Sequence, residues 1–78
     1  MAKNAKEFTY EVKAEYGVIG TKGNVNTELR LVEMNGVEKY DIRPWWEDDK
    51  GVEKMGKGIR LTGEELKKLG ELINNLEL

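Results

Sequence analysis

Residues 39–61 contain the side chains with the clearest chemical use, which are cations on either side of two adjacent tryptophans. The cations are Lys39, Arg43, Lys54, Lys57 and Arg60. Cationic groups bind phosphates and aromatic rings stack on unpaired bases, so the combination suits a strand of nucleic acid. Aromatic residues are nevertheless found more often in a core than on a ligand-binding surface. A charged surface hairpin with Trp45 and Trp46 in the core therefore stands as the alternative.

Composition excludes most catalytic and metal-binding chemistry. The chain has no cysteine, histidine or serine, which removes disulfides, thiolate or imidazole metal sites, and Ser-His-Asp or Cys-His nucleophiles. Glu47, Asp48 and Asp49 could offer oxygen ligands to a divalent cation, but adjacent carboxylates in a polar turn are usually solvated and the EF-hand spacing is absent. We expect no metal site, no cofactor and no enzymatic activity.

One near-match to a phosphate-binding loop is rejected. Residues 51–58, G-V-E-K-M-G-K-G, approach the pattern G-x-x-x-x-G-K-[ST]. The last position is Gly58, so the hydroxyl that holds Mg²⁺ is missing, and the motif does not join a strand to a helix.

Length and charge limit the class of protein. Seventy-eight residues make one domain, 1–78, in which we expect residues 1–7 to be flexible. So short a chain has a thin core, and a partner subunit is a common support. The net charge of −2 is unusual for a nucleic-acid-binding protein, although residues 50–60 carry four cations and one acidic residue. Since no secretory signal or long apolar stretch is present, we expect a soluble cytoplasmic protein, nucleoid-associated if bacterial.

Period-two alternation predicts the first strands. It is clearest in a first strand whose apolar residues are Phe8, Tyr10, Val12, Ala14, Tyr16 and Val18. Gly17 and Gly20 favour a bend or bulge there, and we predict a loop over residues 21–24. A second strand follows over residues 26–34. Asn35-Gly36 predicts a tight hairpin turn, because a type I′ turn needs positive φ at both central residues.

The remaining elements follow from turn and cap residues. We predict a third strand over residues 37–43, with Pro44 marking a strand end, a bulge or an edge position, then a long loop over 46–57 and a fourth strand over 58–61. Thr62 and Glu65 form a capping-box pattern. The helix behind them runs to about Asn75, with an apolar stripe of Leu66, Leu69, Leu72, Ile73 and Leu76.

The segment D-I-R-P-W-W-E-D-D-K-G-V-E-K-M-G-K-G-I-R-L, followed by T-G-E-E-L, resembles the signature of the transcriptional coactivator positive cofactor four family. It is most similar to the small bacterial relatives of that coactivator's single-strand-binding domain. The resemblance covers Lys39 to about Leu69. It implies an α+β fold with a curved four-stranded antiparallel sheet and one C-terminal helix, a homodimer, and sequence-tolerant binding of single-stranded DNA.

From the residues and the resemblance together, we predict a nucleic-acid-binding site made of Met34, Lys39, Arg43, Trp45, Trp46, Lys54, Lys57 and Arg60. Strand alternation puts Trp45 on the Arg43 face and Trp46 on the Ile42 face. The coactivator's own spacing indicates Trp46 as the stacking residue, while some bacterial relatives indicate Trp45. We favour Trp45, with Trp46 in the core, and the choice stays open at this point.

The sequence departs from the family pattern in two ways. Met34 stands where the coactivator carries a base-stacking aromatic residue, and the basic residues around that turn are largely missing. A protein–protein interaction module with weak nucleic-acid binding and an RNA-binding protein are therefore the alternatives.

For the homodimer we predict an interface of Leu66, Leu69, Gly70 and Ile73. At Gly70 the missing side chain either allows a partner helix to approach or is a tolerated weak spot.

Overall fold

The computed structural model describes residues 9–78 as one antiparallel sheet followed by one helix. The elements are β1 (Tyr10–Lys22), β2 (Val25–Met34), β3 (Val37–Glu47), β4 (Glu53–Met55), β5 (Ile59–Leu61) and α1 (Gly63–Asn74). The sheet order is β1-β2-β3-β4, and β5 pairs with β3 beside β4. The predicted α+β fold is thus confirmed. The predicted flexible segment 1–7, and Phe8, lie outside the described residues.

Strand β1 is longer and more irregular than the alternation alone predicts. It continues to Lys22, so the loop expected over residues 21–24 is only a turn at Gly23 and Asn24. Its pairing with β2 shifts register three times, at residues 12–14, 15–17 and 18–20. The last two shifts include Gly17 and Gly20, as predicted. Because each bulge bends its strand and increases the local twist, β1 gives the sheet much of its curvature.

The hairpin of β2 and β3 forms as the sequence predicts. Asn35 and Gly36 have φ values of 49° and 85°, the positive values that a type I′ turn requires. From this turn the two strands pair without a register shift, from Met34 opposite Val37 to Asn26 opposite Trp45. β3 is the central strand, because β2 lies along one edge and both β4 and β5 lie along the other.

Two sequence expectations around Pro44 were wrong. β3 does not end at Arg43 but continues through Pro44 to Glu47, and part of the expected loop is the short strand β4. The carbonyl of Pro44 accepts a hydrogen bond from the backbone N–H of Gly56, in the gap between β4 and β5. The N and O atoms of one strand residue point to the same side, so the donor that Pro44 lacks would also point into this gap. A proline is therefore tolerated within a central strand.

The helix begins with the predicted capping box. The Thr62 hydroxyl accepts from the Glu65 backbone N–H at 3.1 Å, and the Glu65 carboxylate accepts from the Thr62 N–H at 2.9 Å. The helix ends at Asn74 and contains no buried residue. Its apolar stripe is half-buried at Leu66 and Leu69 and exposed at Leu72 and Ile73. Within residues 9–78, no helix is long and apolar enough to cross a membrane.

Residues that pair across strands share a face of the sheet, and this sorts the side chains into two sets. One set, which we call the concave face, includes Arg30, Val32, Asp41, Arg43 and Trp45. The other, which we call the helix face, includes Leu29, Leu31, Tyr40 and Ile42. The Tyr40 ring lies next to the start of α1, so the helix packs on this second face.

The buried residues lie on the opposite side from the one we expected. Sequence analysis placed Trp46, on the Ile42 face, in the core and left Trp45, on the Arg43 face, open for a ligand. In the described chain, the four buried residues are Arg30, Val32, Asp41 and Trp45. All four belong to the concave face, whereas the apolar residues of the helix face are half-buried or exposed. The physical reason is that the short helix contacts only β3 and β5, while the coiled sheet folds its charged face onto itself.

Contacts between distant positions show how strongly the sheet is coiled. Tyr10 pairs with Met34 near one end of β2, and Trp45 pairs with Asn26 near the other. These positions would be roughly 27 Å apart along a flat strand. The ring centroids of Tyr10 and Trp45 are nevertheless only 6.1 Å apart, so opposite corners of the sheet meet above the concave face.

Candidate nucleic-acid interface

The predicted site residues fall into three groups rather than one surface. The concave face carries Met34, Lys39, Arg43, Trp45 and Arg60. The helix face carries Trp46 and Lys54, which pair with each other across β3 and β4. Lys57 is exposed in the connection between β4 and β5. The structure therefore does not bring all eight residues together.

Arg43 is bound within the protein rather than exposed to solvent. Its Nε and Nη2 atoms donate to the two carboxylate oxygens of Asp41, each at 2.6 Å. Its Nη1 atom donates to the Gly56 carbonyl at 3.3 Å and lies 3.5 Å from the Met55 sulfur. The guanidinium thus uses its planar geometry to connect β3 to the segment after β4. Its side chain is only 11% exposed.

Arg60 is also occupied by the fold. Its Nη2 atom donates to two backbone carbonyls, of Val37 at 2.8 Å and Val32 at 3.1 Å. This side chain therefore crosses from β5 over β3 to β2 and ties three strands together on the concave face. Its Nη1 atom is buried and has no hydrogen-bond partner among the described residues.

Trp45 belongs to the core of the concave face. It is 2% exposed. The guanidinium carbon of Arg30 lies 3.9 Å from the centroid of its ring, and Tyr10 packs against the same indole. The expectation that Trp45 stands open for a ligand is therefore not supported within one chain. Alternation placed it correctly on the face of Arg43, but that face is the closed one.

Arg30 is a key residue that sequence analysis did not single out. It is 4% exposed and donates from Nε to Glu28 at 3.0 Å and from Nη2 to Glu53 at 3.3 Å. Burial by itself lowers the pKa of Arg30. The hydrogen bonds that Arg30 donates to the two carboxylates outweigh this effect and raise the pKa overall. The available signal was its place two residues before Val32, which predicts that both share a face.

Trp46 is the tryptophan that solvent can reach. It is half-buried, and its neighbour across the sheet is Lys54, whose side chain is 52% exposed. Gly56 lies close behind the ring, since a Cβ added there would be 3.6 Å from Trp46 and 2.8 Å from the Pro44 side chain. An aromatic ring beside a free ammonium group is suited to a base and its phosphate.

The cations that remain available are lysines. Lys39 and Lys57 have no ion-pair partner within residues 9–78. Lys54 approaches the carboxylate of Asp48 only at 4.0 Å, a weak surface contact that a phosphate can replace. Lys54 and Lys57 both lie close after the turn that joins β3 to β4, so they are two of the three available lysines of the predicted site.

Asp48 fixes the conformation of the turn that precedes Lys54 and Lys57. Its Oδ1 atom accepts from the backbone N–H groups of Lys50 at 2.8 Å and Val52 at 3.0 Å. These two hydrogen bonds favour the ionised carboxylate and lower the pKa of Asp48, with a further contribution from the charge of Lys54. Gly51 takes a positive φ of 78° in the same turn, which a glycine adopts without strain.

A groove of about 460 Å³ lies between the start of β2 and the β3–β4 turn. Its walls include the carboxylates of Glu28, Glu47, Asp48 and Glu53, the amides of Asn24 and Asn26, and parts of Arg30 and both tryptophans. The groove is strongly acidic, which opposes binding of a phosphate. Among residues 9–78, no group of acidic side chains is arranged to hold a metal ion.

The predicted dimer residues lie along one side of α1. Leu66 and Leu69 are half-buried, Ile73 is 51% exposed, and a Cβ added at Gly70 would meet nothing within 4 Å. Exposed apolar residues continue from the helix onto the sheet at Ile59 and Tyr16. The single chain thus leaves an apolar surface open on the helix face.

Comparison with known proteins shows the family of this chain. The chain belongs to the family described as Transcriptional Coactivator p15 (PC4), whose family model matches residues 24–72. That family is known for binding single-stranded DNA and for coactivator activity, and its domain is non-enzymatic. The chain is also similar to an uncharacterised protein of Treponema pallidum (strain Nichols), at 43% identity over 74 residues that cover 92% of this chain and 84% of that protein. No solved structure matches it significantly.

Proposed function

We propose that this protein is a sequence-tolerant single-stranded DNA-binding protein that acts in transcription, replication or repair. The observation that carries the proposal is the pair of half-buried Trp46 and exposed Lys54, with Lys57 close behind in the chain. Stacking on one ring is worth about 1–3 kcal/mol per base and needs bases that are not paired. In a bacterial cell we place this activity in the cytoplasm, at the nucleoid.

We further propose that the working form is a homodimer. The apolar side chains along α1 are half-buried or exposed, which is unfavourable in water, and a second copy of this chain would cover them with the same residues. Leu66, Leu69, Gly70 and Ile73 supply the helix part of that surface. Trp46 and Lys54 lie on the helix face too, but six residues along β3 from Tyr40, beside which α1 begins, so this interface leaves them uncovered.

The test is a titration of the protein with single-stranded DNA, duplex DNA and RNA of matched length and sequence. Tighter binding to the single-stranded DNA than to the duplex supports the proposal, and equal or tighter binding to the duplex contradicts it. Preference for the RNA would assign the same ring and lysines to RNA instead.

A second candidate is a protein–protein interaction module with weak nucleic-acid binding. Two observations favour it: the fold itself occupies Arg43 and Arg60, and the groove beside the β3–β4 turn is acidic. Absence of binding to any oligonucleotide at low salt, where electrostatic binding is strongest, would select this candidate.

A further inference from the structure

The acidic groove at the β3–β4 turn contains polar groups that the fold leaves unused. Glu28 and Glu53 are held by Arg30, and Asp48 is held by backbone N–H groups. Glu47 is exposed and has no hydrogen-bond or ion-pair partner within residues 9–78. One carboxylate in the groove is therefore free to accept hydrogen bonds.

Two hydrogen-bond donors in the same groove are also unused. The Nε1 atom of Trp45 is buried and has no partner in the described chain. An unpaired buried N–H group is unfavourable and Trp45 is part of the groove wall, so an acceptor that enters the groove and reaches this atom would stabilise the site. The Asn26 side chain accepts from the Thr21 hydroxyl at 2.7 Å through its oxygen, which leaves its amide N–H groups available.

The carboxylates and the unused N–H groups of the groove determine which part of a nucleotide can enter it. A phosphate is repelled, because four carboxylates face one guanidinium. A base edge is neutral, and the free carboxylate of Glu47 attracts an edge that presents N–H groups. Guanine presents two adjacent donors, N1–H and the 2-amino group, next to the acceptor O6, whereas thymine presents one N–H between two carbonyl oxygens that a carboxylate repels.

The groove lies next to the proposed strand-binding surface. Lys54, which pairs with Trp46, is 4.0 Å from Asp48 in the groove wall. A phosphate held by Lys54 would therefore leave an adjoining base within reach of the groove.

We propose that this groove is a base pocket that prefers guanine within a single strand. Glu47 accepts from N1–H and the 2-amino group, and the free N–H groups of Trp45 and Asn26 supply donors for the acceptors of the base. This inference rests on the proposed single-strand binding, and it adds a base preference to an otherwise sequence-tolerant surface.

The test compares oligothymidylates of about 15 nucleotides that carry thymine, guanine or inosine at one central position. We expect the guanine strand to bind at least about fivefold more tightly than the all-thymine strand, the discrimination typical of one bidentate contact. Inosine lacks the 2-amino group and should lose most of that gain. Glu47→Gln should abolish the preference for guanine. The matched control Glu38→Gln, an exposed carboxylate at the other end of β3, should retain it.

The outcomes separate this inference from the proposed function. Equal binding of all three strands would overturn the base pocket and leave single-strand binding intact. A lysine-rich peptide that binds the groove while all three strands bind equally would assign the groove to a basic protein segment. No binding of any strand would overturn both proposals.

Discussion

Asp41 and Arg43 face each other on the concave side of β3 as a bidentate ion pair, with both N–O distances at 2.6 Å. The carboxylate is completely buried, so the guanidinium is its counter-charge and is not available to a phosphate. The same arginine reaches the Gly56 carbonyl and thereby holds the segment that leads to Lys57. We therefore expect Arg43 to influence binding through this segment rather than by direct contact.

Arg43→Ala should therefore be mainly a stability variant. Removing the guanidinium leaves a buried carboxylate unpaired, and we expect a loss of about 3–5 kcal/mol in the free energy of unfolding, measured by urea denaturation. Arg43→Lys should not restore stability, because an ammonium group cannot form the bidentate contact. Replacing both residues by alanine should be less destabilising than the two single changes added together. A stable Arg43→Ala protein with weakened DNA binding would instead show a direct phosphate contact.

The two tryptophans should have different roles. Trp45→Ala should destabilise the fold by about 3–5 kcal/mol, because the ring is buried against Arg30 and Tyr10. Trp46→Ala should have a smaller effect on unfolding and weaken binding to an oligothymidylate by about 1–3 kcal/mol. Quenching of the remaining tryptophan by DNA in a Trp45→Phe variant measures stacking on Trp46 directly. Normal binding of the oligothymidylate by Trp46→Ala would contradict the assignment of Trp46 as the stacking ring.

Lys54→Ala and Lys57→Ala should each reduce the salt dependence of binding. Each phosphate contact on a single strand contributes about −0.7 to the slope of log K against log salt concentration, so each substitution should flatten the slope by that amount. Lys67→Ala, an exposed lysine on the helix, is the control and should leave the slope unchanged. Unchanged slopes for both Lys54→Ala and Lys57→Ala would place the phosphate-binding surface elsewhere.

Ile73→Glu should convert a dimer into a monomer. Ile73 is 51% exposed in one chain, so a glutamate there is tolerated by the single fold but not by an apolar interface. Sedimentation at micromolar concentration should give twice the 8.9 kDa chain mass for the wild type and the single mass for the variant. Val52→Glu provides a control of matched exposure, 50%, in the β3–β4 turn. A wild type that sediments as a monomer would remove the dimer.

Stability should fall at acidic pH in part through Asp48. Its pKa in the folded protein is lower than the usual value of about 3.9, because backbone N–H groups stabilise the carboxylate. The stabilisation is therefore present above about pH 4 and is lost as the pH falls through the folded pKa. Asp48→Ala should melt at a lower temperature than the wild type near neutral pH and lose less on acidification. Asp49→Ala, the exposed neighbour, should behave like the wild type.

Local patterns in the sequence were sufficient to predict most of the fold. Period-two alternation, the Asn35-Gly36 turn and the Thr62–Glu65 capping box are decided by nearby residues, and each was predicted. The strand through Pro44 was missed because tolerance of that proline depends on a gap between β4 and β5, which only the tertiary pairing creates. The same limit applies to β4, whose three residues pair only because β3 continues to Glu47.

The site was harder to predict because burial depends on sheet curvature. Alternation assigned Trp45 to the face of Arg43 and Trp46 to the face of Ile42 correctly. It could not show that the sheet coils until Tyr10 reaches Trp45, which closes the charged face and buries the ring that we expected to stay open. The importance of Arg30 depends on the same closure, since its partner Glu53 comes from β4, two strands away from β2.

The three bulges of β1 also bear on the behaviour of this protein at high concentration. β1 is the outer strand of the described sheet. The unpaired edge of a strand of thirteen residues is a template to which another chain can add and begin aggregation. Each bulge interrupts the regular spacing of the backbone N–H and C=O groups along that edge. An incoming strand could therefore match only a few consecutive positions before losing its partners. We therefore expect the irregularity that curves the sheet to hinder growth of the molecule into a fibre as well.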